Sequence, residues 1–416
     1  MTTHQLVAGV FLLVYAGMVL GRVPRLRLDR TGIALLGAIA MVLVDGSSLE
    51  EATNAVDVPT LALLFALMVV SAQLRLGGFY GWVATAIARA AAGPATLLGL
   101  LVVTAGVLSA VFSNDVVCLA TAPVLVRACR RRGLDPVPFL LALACAANVG
   151  SAATLIGNPQ NMLIGQALGL SFADYMLEAA VPTLLGLGVT WGVIAYRQRD
   201  HWRGGDAATG DVVAAAEGPA PANLDRWQTA KGLAAATFLM VAFLFLPWSR
   251  EVVALAAAGL LLTSRRLHSR DMLGLVDWQL LVLFIGLFVV NDALARTGLP
   301  AEAVASLQRG GIDLTHPPWL FAATALLSNA VSNVPAVMLL LPLATHPSSG
   351  PLLALVSTLS GNLLVVGSIA NIIVVETAAR DGIDIDWRRH ALTGVPVTLA
   401  TLALAALYLA LRAGVI

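Results

Sequence analysis

The chain has 416 residues, 58% of them apolar and 12% charged, with a mean hydropathy of +0.85 and a formal net charge of +1. A soluble domain carries about twice that charged fraction, so a water-soluble fold of this size is excluded and the solvent must be lipid. A balance near neutrality with a single lysine, Lys231, also excludes a basic nucleic-acid face.

The first apolar run, 5–21, is followed rather than preceded by Arg22, Arg25, Arg27 and Arg30. It reads as a retained span, not a cleaved signal. Further runs lie at 30–45, 58–75, 94–112, 116–128, 137–155, 162–170, 175–196, 229–247, 250–264, 277–294, 317–331, 334–345, 351–366, 372–378 and 391–412. A crossing needs about 20 apolar residues, and several of these are too short. The short ones fall in two groups, 94–170 and 317–378.

We therefore expect an all-α polytopic membrane protein in which 94–128 and 317–345 are re-entrant hairpins, while 137–170 and 351–378 are single interrupted helices. Each half then has five crossings and one hairpin, and an odd number of crossings makes the halves inverted. The first repeat is 1–198, a linker covers 199–227, and the second repeat is 228–416. With the N-terminus outside, all of the 25 Lys and Arg except Arg250, Arg296, Arg309 and Arg412 fall on the inner side, as cytoplasmic loops require. The C-terminus is then also outside. The Gly-, Ala-, Pro- and acid-rich stretch before Leu224 reads as a flexible cytoplasmic linker.

At an offset near 220, three segments of the second half match the first in order. DVPTLALLFALMVVSAQL from Asp57 pairs with DWQLLVLFIGLFVVNDAL from Asp277. VFSNDVVCLATAP pairs with AVSNVPAVMLLLP, setting Ser113-Asn114 over Ser332-Asn333, and LIGNPQNMLI pairs with VVGSIANIIV, setting Gly157 and Asn161 over Gly367 and Asn371. Inverted repeats with interrupted helices mark secondary transporters.

Unsatisfied backbone in hydrocarbon costs several kcal/mol, so non-helical chain there must be buried or line a cavity. Ser113-Asn114-Asp115 and Ser332-Asn333 are the expected hairpin tips. Gly157-Asn158-Pro159-Gln160-Asn161 and Gly367-Ser368-Ile369-Ala370-Asn371 are the expected breaks. Opened helices present N–H groups to anions and carbonyls to Na⁺. Each half is expected to build a cup from one tip and one break, with both cups at the midplane. The bland alternative is that these Ser, Asn and Gly residues only pack or cap helices.

Asp115 has Val334 as its counterpart. An intramembrane acid faces a cavity or a partner, which makes Asp115 a candidate proton or cation carrier; the alternative is an N-cap of the second hairpin arm. Asp292, Glu376 and Asn291 lie near run ends and read as interfacial, and Cys118 as a buried thiol. Cys118, Cys129 and Cys145 lack CxxC spacing, and His4, His201, His268, His316, His346 and His390 are scattered, so no disulfide, metal centre or cofactor is expected beyond Na⁺ or H⁺ as coupling ion. No Arg or Lys flanks the tips or breaks. That disfavours a bare dianion and suits a monoanion, a neutral hydroxylated solute or a cation.

The paired motifs SNDVVCLATAP with NVGSAATLIGNPQN, and AVSNVPAVMLLLP with SGNLLVVGSIANIIVVETA, resemble the ion transporter superfamily. The nearest group is the arsenite permease and NhaD-type antiporter branch, with the divalent anion:sodium symporters more distant. The resemblance implies a homodimer with a fixed scaffold and a transport domain that moves as an elevator. It also implies that Ser113, Asn114, Ser332 and Asn333 contact substrate or ion, with Gly157, Asn158, Gly367 and Asn371 completing Na⁺ cups. Asp115 and Val334 stand where the symporter branch has threonine, which favours the arsenite and antiporter branch over di- or tricarboxylate or sulfate symport.

The expected function is a secondary transporter of a small anion or an arsenite-like oxyanion, driven by H⁺ or Na⁺ in a bacterial inner membrane, with Na⁺/H⁺ antiport as the alternative. A channel is a third reading. An enzyme is disfavoured, because no nucleophile, base and oxyanion-donor set is visible.

Overall fold

Residues 2–21, 28–204 and 224–412 are described by the structure, a computed structural model, and every regular element in them is helical. The first half comprises α1 (Thr3–Leu20), α2 (Arg30–Asp45), α3 (Leu49–Asn54), α4 (Val58–Leu76), α5 (Phe79–Arg89), α6 (Pro94–Val111), α7 (Asn114–Arg131), α8 (Pro136–Ser151), α9 (Pro159–Ala167) and α10 (Phe172–Gly204). The second comprises α11 (Arg226–Phe245), α12 (Arg250–Leu262), α13 (Ser269–Leu273), α14 (Trp278–Arg296), α15 (Leu299–Arg309), α16 (Pro317–Val331), α17 (Asn333–Leu340), α18 (Ser349–Ser360), α19 (Ile369–Arg380) and α20 (Trp387–Arg412). Among these, seven helices are long and apolar enough to cross a membrane: α1, α4, α6, α10, α11, α14 and α20.

The turn residues act where the sequence places them. α6 ends at Phe112 and the chain re-enters helix through Ser113, so that α6 and α7 pack against each other. The second turn is tighter, since Ser332 alone separates α16 from α17. Asn158 and Ser368 open the helices after the two breaks, Asn158 accepting from the Asn161 N–H at 2.9 Å and Ser368 from the Ala370 N–H at 3.2 Å. Asp57 and Asp277, matched in the repeat, cap α4 and α14 in the same way, each at 2.9 Å from the N–H three residues on.

Packing exchanges the halves. α4 lies on α11 and α12 while α14 lies on α1 and α2; α9 lies on α17 and α18 while α19 lies on α7 and α8. α8 from Val137 to Ser151 and all of α18 are buried, so the incoming arms of the interrupted helices form the centre. α8 also crosses α6 at its closest point where two glycines meet: a Cβ on Gly150 would stand 2.3 Å from the Gly106 Cα.

Two expectations change. The short helices α3, α5, α13 and α15 lie outside the expected runs and are too short to cross a bilayer; α5 and α15 are one-sided, as helices on a membrane surface are. The linker is also shorter than 199–227, because α10 stays helical to Gly204 and α11 begins at Arg226. Its remainder, 205–223, and the arginines Arg22, Arg25 and Arg27 lie outside the described residues.

Candidate functional site

Tip and break meet in each half. The Asn114 backbone N–H donates to the Gly157 carbonyl at 3.2 Å. With the Asn333 amide turned so that both its atoms are paired, its nitrogen donates to the carbonyls of Ser357 (2.9 Å) and Gly367 (3.3 Å), and its oxygen accepts from Gln160 Nε2 (3.3 Å). Gly157 is required by contact: a Cβ there would sit 2.2 Å from the Ser151 carbonyl oxygen.

The breaks are held open by their own asparagines. Asn161 Nδ2 donates to the carbonyls of Thr154 (3.0 Å) and Ser151 (3.5 Å), and also to Tyr175 Oη (3.1 Å). Asn371 Nδ2 donates to the carbonyls of Gly361 (2.8 Å) and Leu364 (3.1 Å). These bonds stand in for the helical ladder at the Thr154 and Gly361 carbonyls, while the Leu364 carbonyl also accepts from the Gly367 N–H and the Ser151 carbonyl from Asn158 Nδ2. Asn158 is spent likewise, with Nδ2 on Ser151 Oγ (2.9 Å) and Thr358 Oγ1 (3.1 Å).

Two amide oxygens at the same sites remain open. Asn114 Oδ1 and Asn329 Oδ1 are buried without a hydrogen-bond partner, and the latter faces the second break, 3.2 Å from where a Gly367 Cβ would be. A buried acceptor without a donor costs about 1–3 kcal/mol and is a natural ligand for a hard cation, whose preferred partners are oxygens. The residues present therefore fit a Na⁺ ion at either break.

Ser113 and Asp115 line a cavity of about 80 Å³ together with Ser71, Arg75 and Asp277. Ser332 lines a second, of about 530 Å³, with Asp29, Arg30, Val365 and Ile369; Asp277 borders this one too. The sequence places no basic residue beside the tips, but the fold brings one to each: Arg75 from the end of α4 and Arg30 from the start of α2. Asp115 is not an N-cap, since Ser113 holds that position and Asp115 lies in the first turn of α7. Cys118, Cys129 and Cys145 are free and buried. Asn291 accepts from Tyr15 Oη at 2.9 Å, and Asp292 pairs with Arg296. Among the described residues, no group of three or more His, Cys, Asp and Glu side chains is placed to hold a metal.

Besides Asn329, Arg30 and Arg75, three side chains that sequence reasoning passed over join the sites: Asn148, Thr358 and Asn362. Asn148 bonds to Asn114, Asn362, Ser368 and Asn371. Thr358 bonds to Asn158, Gln160 and Asn161. Their only sequence signal is a polar residue within an apolar run.

Known proteins resemble the chain along nearly its whole length. The family profile CitMHS, described as "Citrate transporter", matches residues 15–359. An uncharacterized transporter of Mycobacterium tuberculosis (strain ATCC 25618 / H37Rv) is 31% identical over 420 residues, covering 97% of each chain. A silicon efflux transporter of Oryza sativa subsp. japonica is 30% identical over 453 residues, covering 92% of each. The crystal structure of the Alcanivorax borkumensis YdaH transporter superposes with a TM-score of 0.58 at 14% identity, over 99% of this chain and 98% of that one, and so shares the fold.

Proposed function

Because the chain belongs to the CitMHS citrate transporter family of the ion transporter superfamily, we propose that this membrane transporter is a secondary carrier of a small anion or an arsenite-like weak acid, coupled to Na⁺ or H⁺. In this reading 1–198 and 228–416 are inverted repeats, 94–128 and 317–345 are re-entrant hairpins, and both termini are outside. The protein is a homodimer in the bacterial inner membrane whose transport domain moves as an elevator.

The observation that carries the reading is the cavity at the first tip. There Ser113 and Asp115 line, with Arg75 and Asp277, a space suited to a few heavy atoms. The amides divide into two sets. Asn158, Asn161 and Asn371 hold the breaks open, leaving Asn114 and Asn329 as the open oxygens for a cation, with the hydroxyls of Ser113 and Ser332 facing solute. One guanidinium against two carboxylates suits a neutral hydroxylated solute or, once a proton or Na⁺ offsets a carboxylate, a monoanion. An uncomplexed tricarboxylate, the solute in the family's description, fits that balance poorly.

A second reading, Na⁺/H⁺ antiport, is favoured by the two carboxylates, Asp115 and Asp277, on one small cavity. The test is counterflow in proteoliposomes with arsenite, silicic acid, sulfate and citrate under imposed Na⁺ and pH gradients. Solute flux that follows one gradient supports the first reading, and Na⁺-dependent proton movement without solute supports the second. Folded protein that moves none of these removes both.

A further inference from the structure

Asn148 uses its entire hydrogen-bonding capacity on candidate site residues of both halves. Its Nδ2 donates to Asn362 Oδ1 (2.7 Å) and Asn371 Oδ1 (3.0 Å), and its Oδ1 accepts from Asn114 Nδ2 (2.9 Å) and Ser368 Oγ (2.8 Å). It is 2% exposed, on a helix buried from end to end. An amide has two donors and two acceptor sites, so this one has nothing left for a ligand. Asn148 belongs to the first half, yet three of its four partners lie in the break of the second.

The reverse link exists as well. Thr358, 210 positions further on and 2% exposed, accepts from Asn158 Nδ2 (3.1 Å) and Gln160 Nε2 (3.3 Å) and donates to Asn161 Oδ1 (3.3 Å), all in the first break. Two helices thus each hold the other half's opened chain.

We propose that Asn148 and Thr358 are positioning residues that form a crossed brace, coupling the two cups so that occupancy of one sets the affinity of the other. The brace works through geometry. An ion drawn onto Asn114 Oδ1 turns the same amide whose nitrogen bonds to Asn148, and Asn148 in turn orients Asn371, which spans the second break. Coupling free energy between two sites is reciprocal, so a second ligand must feel the first. The proposal rests on the transport reading for its functional consequence and on the hydrogen bonds alone for its physical one, so each half has its own measurement.

Hydrogen exchange on the full chain in lipid nanodiscs tests the physical half and needs no known solute. Thr358→Val keeps the shape and removes the hydroxyl, and Asn148→Ser shortens the amide. Exchange in 152–158 is expected to rise about tenfold in Thr358→Val, and exchange in 361–368 by a similar factor in Asn148→Ser. A rise confined to the half that carries the substitution overturns the brace.

Counterflow tests the functional half, with arsenite, silicic acid and citrate as probes. In the wild type, half-saturating Na⁺ or H⁺ should fall several-fold as solute rises. In Thr358→Val it should no longer depend on solute, although transport continues. Loss of stability with the reciprocal dependence intact leaves these residues merely structural and overturns the coupling. Should Asn148→Ser fail to fold, Thr358→Val decides both measurements. Should the wild type move no probe, the transport reading fails while the exchange result still judges the brace.

Discussion

Asn161 and Asn371, 210 positions apart, make the same two bonds: each side-chain nitrogen donates to the backbone carbonyls ten and seven residues before it. The lengths are 3.5 and 3.0 Å for Asn161 and 2.8 and 3.1 Å for Asn371. One amide therefore spans each break and stands in for the missing helical turn. The recurrence of both bonds at one spacing is a structural counterpart to the matched motifs.

Asn161→Ala and Asn371→Ala should each destabilise the protein, because the first takes the side-chain donor from the buried Thr154 carbonyl and the second from the buried Gly361 carbonyl, at about 1–3 kcal/mol each. Thermal unfolding in detergent should place both variants several degrees below the wild type. An unchanged melting temperature in either would show that its amide does not carry the break.

Ser332 has φ 79° and ψ 159°, a region populated almost entirely by glycine and costing about 1–3 kcal/mol for other residues. Ser332→Gly should raise the melting temperature and slow flux, since the strain and the hydroxyl facing the larger cavity disappear together. Ser332→Ala should slow flux without the gain. If Ser332→Gly melts lower than the wild type, the strain argument is wrong.

Gly150→Ala should abolish or severely reduce the folded yield, because the new methyl would meet the Gly106 backbone, which cannot yield as a flexible side chain would. Gly188→Ala is the control, with open space around it. Size-exclusion profiles of the two variants would decide, and a normal Gly150→Ala profile would contradict the close crossing of α6 and α8.

Asp115→Asn should remove the pH dependence of flux if this carboxylate carries the coupling proton. Asp57→Asn should leave it in place, because an amide oxygen can still accept from the Thr60 N–H. Flux profiles across pH, compared in shape rather than height, distinguish the two; identical profiles for wild type and Asp115→Asn would assign the proton elsewhere.

Arg75→Gln should raise KM for anionic probes about tenfold and leave neutral arsenous acid little affected, because only the anion depends on the guanidinium at the first cavity. Equal effects on both would mean that Arg75 acts on the shape of the cavity rather than its charge.

What was legible in the sequence is local. Hydropathy requires lipid as solvent, and Asn158 and Ser368 mark where helices start because each side chain bonds its own backbone within three residues, whereas Ser113 and Ser332 mark the turns without a side-chain cap. Helix α5 was not legible, since at 11 residues it lacks the length of a span. The roles of the site residues were only half legible. Asn114 and Asn158 look alike as letters, yet one keeps an unpartnered oxygen and the other has its amide fully engaged.

Only the tertiary structure decided what meets across the chain. Asn148 reaches partners more than 200 positions away, and Arg75 comes to line the cavity of Asp115 from another helix. Such contacts follow from how buried helices pack, and packing is a property of surfaces brought together by the whole fold. A sequence states how its own few neighbours bend, which is why the breaks could be read from it and the brace between them could not.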